Sequence, residues 1–216
     1  ERFLSRVTSR EVGRPDQVVR GDRHVAGLRL RLDTNQLPKP FQVNAMTFAN
    51  ASPFTVAGTA GNVFQMTGPS PARNLSGLGD STLSGTGAAL QLADDLTFGG
   101  SGIGNLTIAG AIGETGGARR VTIPALPASM QGTPMSQTLH TVILGSGTSS
   151  YTGGLTLDGG NMRTAGFGGA ANIFGPAGST FTVTGNGGVI QNVASLSSGI
   201  TASTFQLNGT LRVVGA

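Results

Sequence analysis

The chain has 216 residues, 36 of them Gly, with 11% charged and 5% aromatic residues, no Cys, no Trp, and a net charge of +4. Its 38% hydrophobic content and mean hydropathy of +0.07 lie outside the low-hydropathy, high-charge regime of disordered chains. Gly does not recur at every third position, which excludes collagen, and the absence of Cys excludes a disulfide framework or a thiolate metal site.

Residues 1 to about 25 are charged and nearly free of Gly. Phe3, Leu4, Val7 and Val12 fall near one helical face, and Gly13 and Pro15 would end such a helix. This segment is expected to be a short N-terminal cap over the open end of a β-stack, or an assembly arm that docks on a neighbouring subunit. No signal peptide is visible at Glu1, so an exported protein would be represented here in mature or trimmed form. The pI of about 11.0 suggests nucleic acid at first sight. Yet the early basic residues Arg2, Arg6, Arg10, Arg14, Arg20, Arg23, Arg29 and Arg31 are interleaved with Glu1, Glu11, Asp16, Asp22 and Asp33. That is a mixed, solvated segment without stacking aromatics, and it argues against a nucleic-acid partner.

From residue 26 to 216 a short alternating strand followed by Gly keeps returning. It is seen at Phe54 to Gly58, Phe64 to Gly68, Leu96 to Gly100, Leu106 to Gly110, Val142 to Gly145, Leu155 to Gly159, Phe181 to Gly185 and Phe205 to Gly209. Apolar residues at alternate positions give each strand one buried and one solvated face. The spacing of the units is irregular, which suits a β-solenoid whose strands return to one core while the loops vary. A rung of about 20 residues would give eight or nine rungs, stacked at roughly 4.8 Å. The fold class expected is all-β, a right-handed parallel β-helix, with a β-sandwich or jelly roll as the alternative. Residues 113–138 carry Gly116, Gly117, Arg119, Arg120, Pro124, Pro127 and Pro134 and are expected to form a loop inserted into the rod. No run of about 18 apolar residues occurs, so no membrane-spanning segment is expected.

The search for chemistry yields no catalytic, cofactor-binding or metal-binding residues, and the chain is expected not to be an enzyme. His24 and His140 lie far apart, outside any zinc-binding spacing. Asp80, Asp94, Asp95, Glu114 and Asp158 are scattered; Asp94 and Asp95 would point to opposite faces of a strand or be solvated at a turn. A glycosidase pair cannot be placed among them. Asn50, Asn74, Asn105 and Asn208 each open an N-x-S/T sequon, at a frequency that chance explains in so Asn- and Thr-rich a chain.

Residues 149–163 read SSYTGGLTLDGGNMR. This text resembles the autotransporter-associated β-strand repeat, with its NTYTGGTT-hydrophobic-x-x-GTL pattern. Tyr151, Thr152, Gly153, Gly154, Thr156, Leu157 and Gly160 match it; Ser149 and Ser150 stand where Asn and Thr are usual, and Met162 stands for Leu. Residues 95–113 and 172–185 resemble the rungs that precede and follow this motif. The likeness is good over about residues 90–216, weaker over 26–89, and fails over the first 25. The short link usual in the family is replaced by the proline-bearing stretch. The resemblance implies a right-handed parallel β-helix at the bacterial cell surface or beyond it. The expected function is an extracellular structural rod, self-associating into a fibre, sheath or layer. The alternatives are an adhesin or autotransporter passenger binding surface glycans, and, further off, a polysaccharide lyase or hydrolase. Within the motif, the Gly pair allows a sharp corner, and Tyr151 is expected to cover a rung edge and leave its hydroxyl wet.

Overall fold

The computed structural model describes residues 29–30, 41–43, 46, 48, 52–58, 63–67, 72–74, 80–85, 88–99, 104–125, 141–145, 149–164, 174, 176–185, 188–192 and 204–215. These residues form three walls of stacked strands and no helix. The long wall has eight strands: β1 (Arg29–Leu30), β3 (Phe54–Gly58), β6 (Ser81–Gly85), β9 (Leu106–Ile108), β12 (Thr141–Leu144), β14 (Asn161–Thr164), β16 (Gly188–Asn192) and β18 (Leu211–Gly215). The middle wall has six: β5 (Ala72–Asn74), β8 (Leu96–Gly99), β11 (Val121–Pro124), β13 (Leu155–Asp158), β15 (Thr180–Thr184) and β17 (Thr204–Leu207). The short wall has four: β2 (Phe41–Val43), β4 (Phe64–Met66), β7 (Ala88–Leu92) and β10 (Ala111–Glu114).

Neighbours within every wall run parallel and come from successive passes of the chain. This is a β-solenoid, and the parallel pairing removes the sandwich and jelly roll, which are built from antiparallel strands. The long wall spans seven steps of about 4.8 Å, roughly 34 Å in all. Paired positions of adjacent passes lie 20 residues apart at Thr141 and Asn161, 25 at Asp80 and Asn105, 26 at Asp158 and Thr184, and 36 at Leu106 and Val142. The rung thus varies, from the 20 residues expected upward, because the corners between the walls differ in length.

Alternation decides what fills the interior. In the middle wall Leu96, Val121, Leu155 and Phe181 stack in one inward column, and Ile123, Leu157 and Val183 in another. Val56, Leu83, Ile108 and Leu144 form the matching column of the long wall, and Val43, Met66 and Leu92 that of the short wall. All are buried and belong to one continuous core. The rings of Phe174 and Phe205 lie on either side of Phe181, each with its centroid 4.7 Å from that of Phe181. The outward positions also stack by type. Thr97, Thr122, Thr156 and Thr182 are in register on the middle wall, Thr55, Thr82 and Thr107 on the long wall. Gln42, Gln65 and Gln91 are in register on the short wall, with Gln42 Nε2 donating to Gln65 Oε1 at 3.1 Å.

Of the stretch expected to leave the rod at 113–138, residues 113–114 and 121–124 lie in its walls, and residues 115–120 turn between them. Glu114 ends β10, and Val121–Pro124 is β11, paired on both sides. Pro124 is the last residue of its strand and lies past the pairing with β8, which ends at Thr122. Residues 126–140 and the N-terminal segment, with Phe3, Leu4, Val7 and Val12, lie outside the described residues, as do His24 and His140.

Leu157 is wholly buried in the middle of its column, so Leu157→Ala should lower the unfolding free energy by roughly 2–5 kcal/mol. Thr156→Ala, one residue along on the outer face, should change it by no more than about 1 kcal/mol. Urea denaturation of both variants against the parent checks the pair.

Candidate functional site

The functional residues read from the sequence are those of the repeat motif, and the structure places them where the short wall ends. Among the described residues β10 is its last strand, and there Glu114 stands in register with Leu92, in the column of Val43 and Met66. Glu114 is only part-buried there, so its carboxylate carries a modest desolvation cost that hydrogen bonds offset. The next pass of the chain, Ser149 to Thr152, crosses over β10 without forming a strand. The backbone bond from Ser150 N to Ile112 O, at 2.9 Å, continues the wall pattern. Side chains supply the other links. Ser149 Oγ accepts from Ile112 N at 3.1 Å. Glu114 Oε2 accepts from Thr152 N at 2.8 Å and from Arg119 N at 2.7 Å, and Oε1 accepts from the Thr152 hydroxyl at 2.6 Å.

The chain reaches Arg119 through a turn at Gly116 and Gly117, both at positive φ (74° and 127°), where L side chains are disfavoured. Arg119 then faces Asp94, Nη1 to Oδ1 3.6 Å, a partly exposed pair of small energetic weight. Burial alone would push the Glu114 carboxyl up. The bonds from the Thr152 hydroxyl, the Thr152 amide and the Arg119 amide, with the Arg119 charge, outweigh it and hold the group below its ordinary value of 4.5.

Tyr151 sits between these links and is 0% exposed. The expectation of a wet hydroxyl is therefore corrected. The whole side chain lies in the core cluster, and burial drives its pKa well above the usual tyrosine range. The Gly pair that follows makes the corner expected of it. Gly153 N donates to Arg119 O and Val121 N donates to Gly154 O, both at 3.0 Å. Gly154 has φ 89°, and a Cβ there would overlap the Thr180 carbonyl; one at Gly153 would overlap the Arg119 carbonyl. Gly160 passes equally close to the Pro124 carbonyl. Thr156 lies in the outer Thr column and Leu157 in the core. Thus Tyr151, Thr152, Gly153, Gly154, Thr156, Leu157 and Gly160 are held together as one structural segment.

Three further acids among the described residues, Asp80, Asp95 and Asp158, are engaged across passes, which the sequence reading missed. Asp80 Oδ1 accepts from Asn105 N at 2.9 Å, Asn105 Oδ1 from Thr141 N at 2.9 Å, and Asp95 Oδ1 from Arg120 N at 2.8 Å. In each case an Asp or Asn just before a strand binds the corner amide of the next pass. Asp95 is therefore not simply solvated at its turn, and the sequon residue Asn105 uses its side chain within the fold. Asp158 Oδ1 accepts from the Thr184 hydroxyl at 2.8 Å. The signal was present in the sequence as Asp80-Ser-Thr-Leu, Asp95-Leu-Thr-Phe and Asn105-Leu-Thr-Ile. Among the described residues no group of three or more His, Cys, Asp or Glu is arranged to hold a metal ion.

A family model described as a domain of unknown function (DUF4390) matches residues 2–55, about a quarter of the chain and mostly outside the described residues. No curated protein and no solved structure matches the chain.

Gly154→Ala would meet both the backbone strain of a left-handed conformation and the Thr180 carbonyl. It should cost at least about 2 kcal/mol, read as a lowered Tm in thermal unfolding by circular dichroism.

Proposed function

We propose that the chain is a structural protein of a bacterial surface, a rigid β-helical rod that assembles through subunit contacts into an extracellular fibre, sheath or layer. The observation that carries this reading is how the polar side chains are used. Asp80, Asp95, Asn105, Glu114 and Asp158 all bind backbone or side-chain donors of the neighbouring pass. They are committed to holding rungs together, which is the requirement of a rod and not of an acid–base centre. The resemblance of residues 149–163 to the autotransporter-associated repeat supports placement outside the cell. In β17, Phe205 and Leu207 continue the columns of Phe181 and Val183 and are 39% and 58% exposed, so this strand offers an apolar edge to a further rung. Among the described residues no helix is long and apolar enough to cross a membrane.

The in-register stripe of Thr97, Thr122, Thr156 and Thr182 favours a second reading, an adhesin-like passenger whose outer wall offers hydroxyls to surface glycans. Negative-stain electron microscopy of the natively purified protein separates the two. Regular filaments or sheets are expected. Dispersed short rods at every concentration would contradict assembly and favour the displayed passenger.

A further inference from the structure

We propose that Glu114 is an acid-labile latch, whose carboxylate keeps the Tyr151 segment closed on the rung beneath it and releases it on protonation. The inference concerns the fold itself and holds whether or not the chain assembles.

The geometry concentrates the joint on one group. Ser150 and Gly153 are tied down by backbone bonds to Ile112 and Arg119. Between them, Thr152 is bonded through both its amide and its hydroxyl to Glu114. The Gly153 anchor depends on the same carboxylate, because Oε2 also accepts from Arg119 N while Arg119 O receives Gly153 N. The middle of the corner therefore hangs on one side chain, while Ser150 keeps its own backbone bond to Ile112, at the level where the short wall has no further strand among the described residues. The charged and titratable groups around it are Arg119 on its own corner, Asp94 on the corner between β7 and β8, and Tyr151 on the pass above. Arg119 favours the carboxylate, and Asp94 draws the guanidinium from the other side. Protonation leaves the carboxyl one donor and a weakened acceptor, facing two amides and a hydroxyl that all donate to it.

The direction in pH follows. A carboxyl held below its ordinary value stabilises the closed corner fully above about pH 4.5, and that contribution is lost as pH falls through the lower folded value. At neutral pH the latch is shut.

The protein carries its own reporter, since Tyr151 is the single Tyr in a chain without Trp. Tyrosine fluorescence with acrylamide quenching, followed from pH 7 to pH 2 beside far-ultraviolet circular dichroism, reads this corner alone. The parent should show several-fold stronger quenching at acid pH before the strand signal falls. Glu114→Gln should be quenched more strongly already at pH 7 and lose the acid step. Thr152→Val, which keeps the carboxylate but removes one donor to it, should move the step to higher pH. Tyr151 staying shielded until the strand signal collapses would overturn the proposal. So would an acid step in Glu114→Gln that matches the parent. Should Glu114→Gln not fold, an unshifted step in Thr152→Val would overturn it equally.

Discussion

Everything in this structure depends on the parallel step between one pass of the chain and the next. At about 4.8 Å that step is too short for unlike neighbours to be accommodated independently. Each position must be compatible with the same position one rung below and one rung above. The consequence is columns: aliphatic on aliphatic inside, Thr on Thr or Gln on Gln outside. The inward columns bury their side chains up to β15, so the core is a line and not a globule, and it grows with the number of rungs.

Corners impose the opposite demand. There the backbone turns away from its neighbours, and amides that would pair in a wall need other partners. Asp80, Asp95 and Asn105 reach one rung onward to bind such amides, and Glu114 does so beyond the last described strand of the short wall. Glycines complete the corners where the next backbone passes too near for a Cβ, as at Gly153, Gly154 and Gly160. A chain with only ten acidic residues therefore places several of them at structural joints. This ties the sparse charge to the function proposed: a rod needs satisfied corners more than it needs a reactive cleft.

The walls were legible in the sequence because period-two alternation is a local signal. Phe54, Phe64, Leu96, Leu106, Val142, Leu155, Phe181 and Phe205 each fall on a strand of the structure. The motif Gly pair was legible as a corner for the same local reason. What was not legible depends on the neighbouring pass. Tyr151 reads locally as an edge-covering residue with a wet hydroxyl, yet the crossing over β10 encloses it. Pro124 reads as a break, yet it ends a paired strand. Glu114 and Asp95 read as loop acids, because their partners Thr152 and Arg120 are 38 and 25 residues away. The rung length was legible only as a lower value, since the corners that lengthen most passes carry no period-two signal.

The central claim is the register, and the absence of Cys from the chain makes it directly accessible. Thr122 and Thr156 are paired on adjacent strands of the middle wall, while Thr122 and Thr182 are two strands apart. The first pair has a Cα separation of about 4.8 Å, within disulfide range, and the second about 9.6 Å, beyond it. The double variant Thr122→Cys with Thr156→Cys should oxidise to an intramolecular disulfide without loss of strand signal, and Thr122→Cys with Thr182→Cys should not. Failure of the first pair to close, or equal closure of the second, would contradict the stacked register on which the account rests.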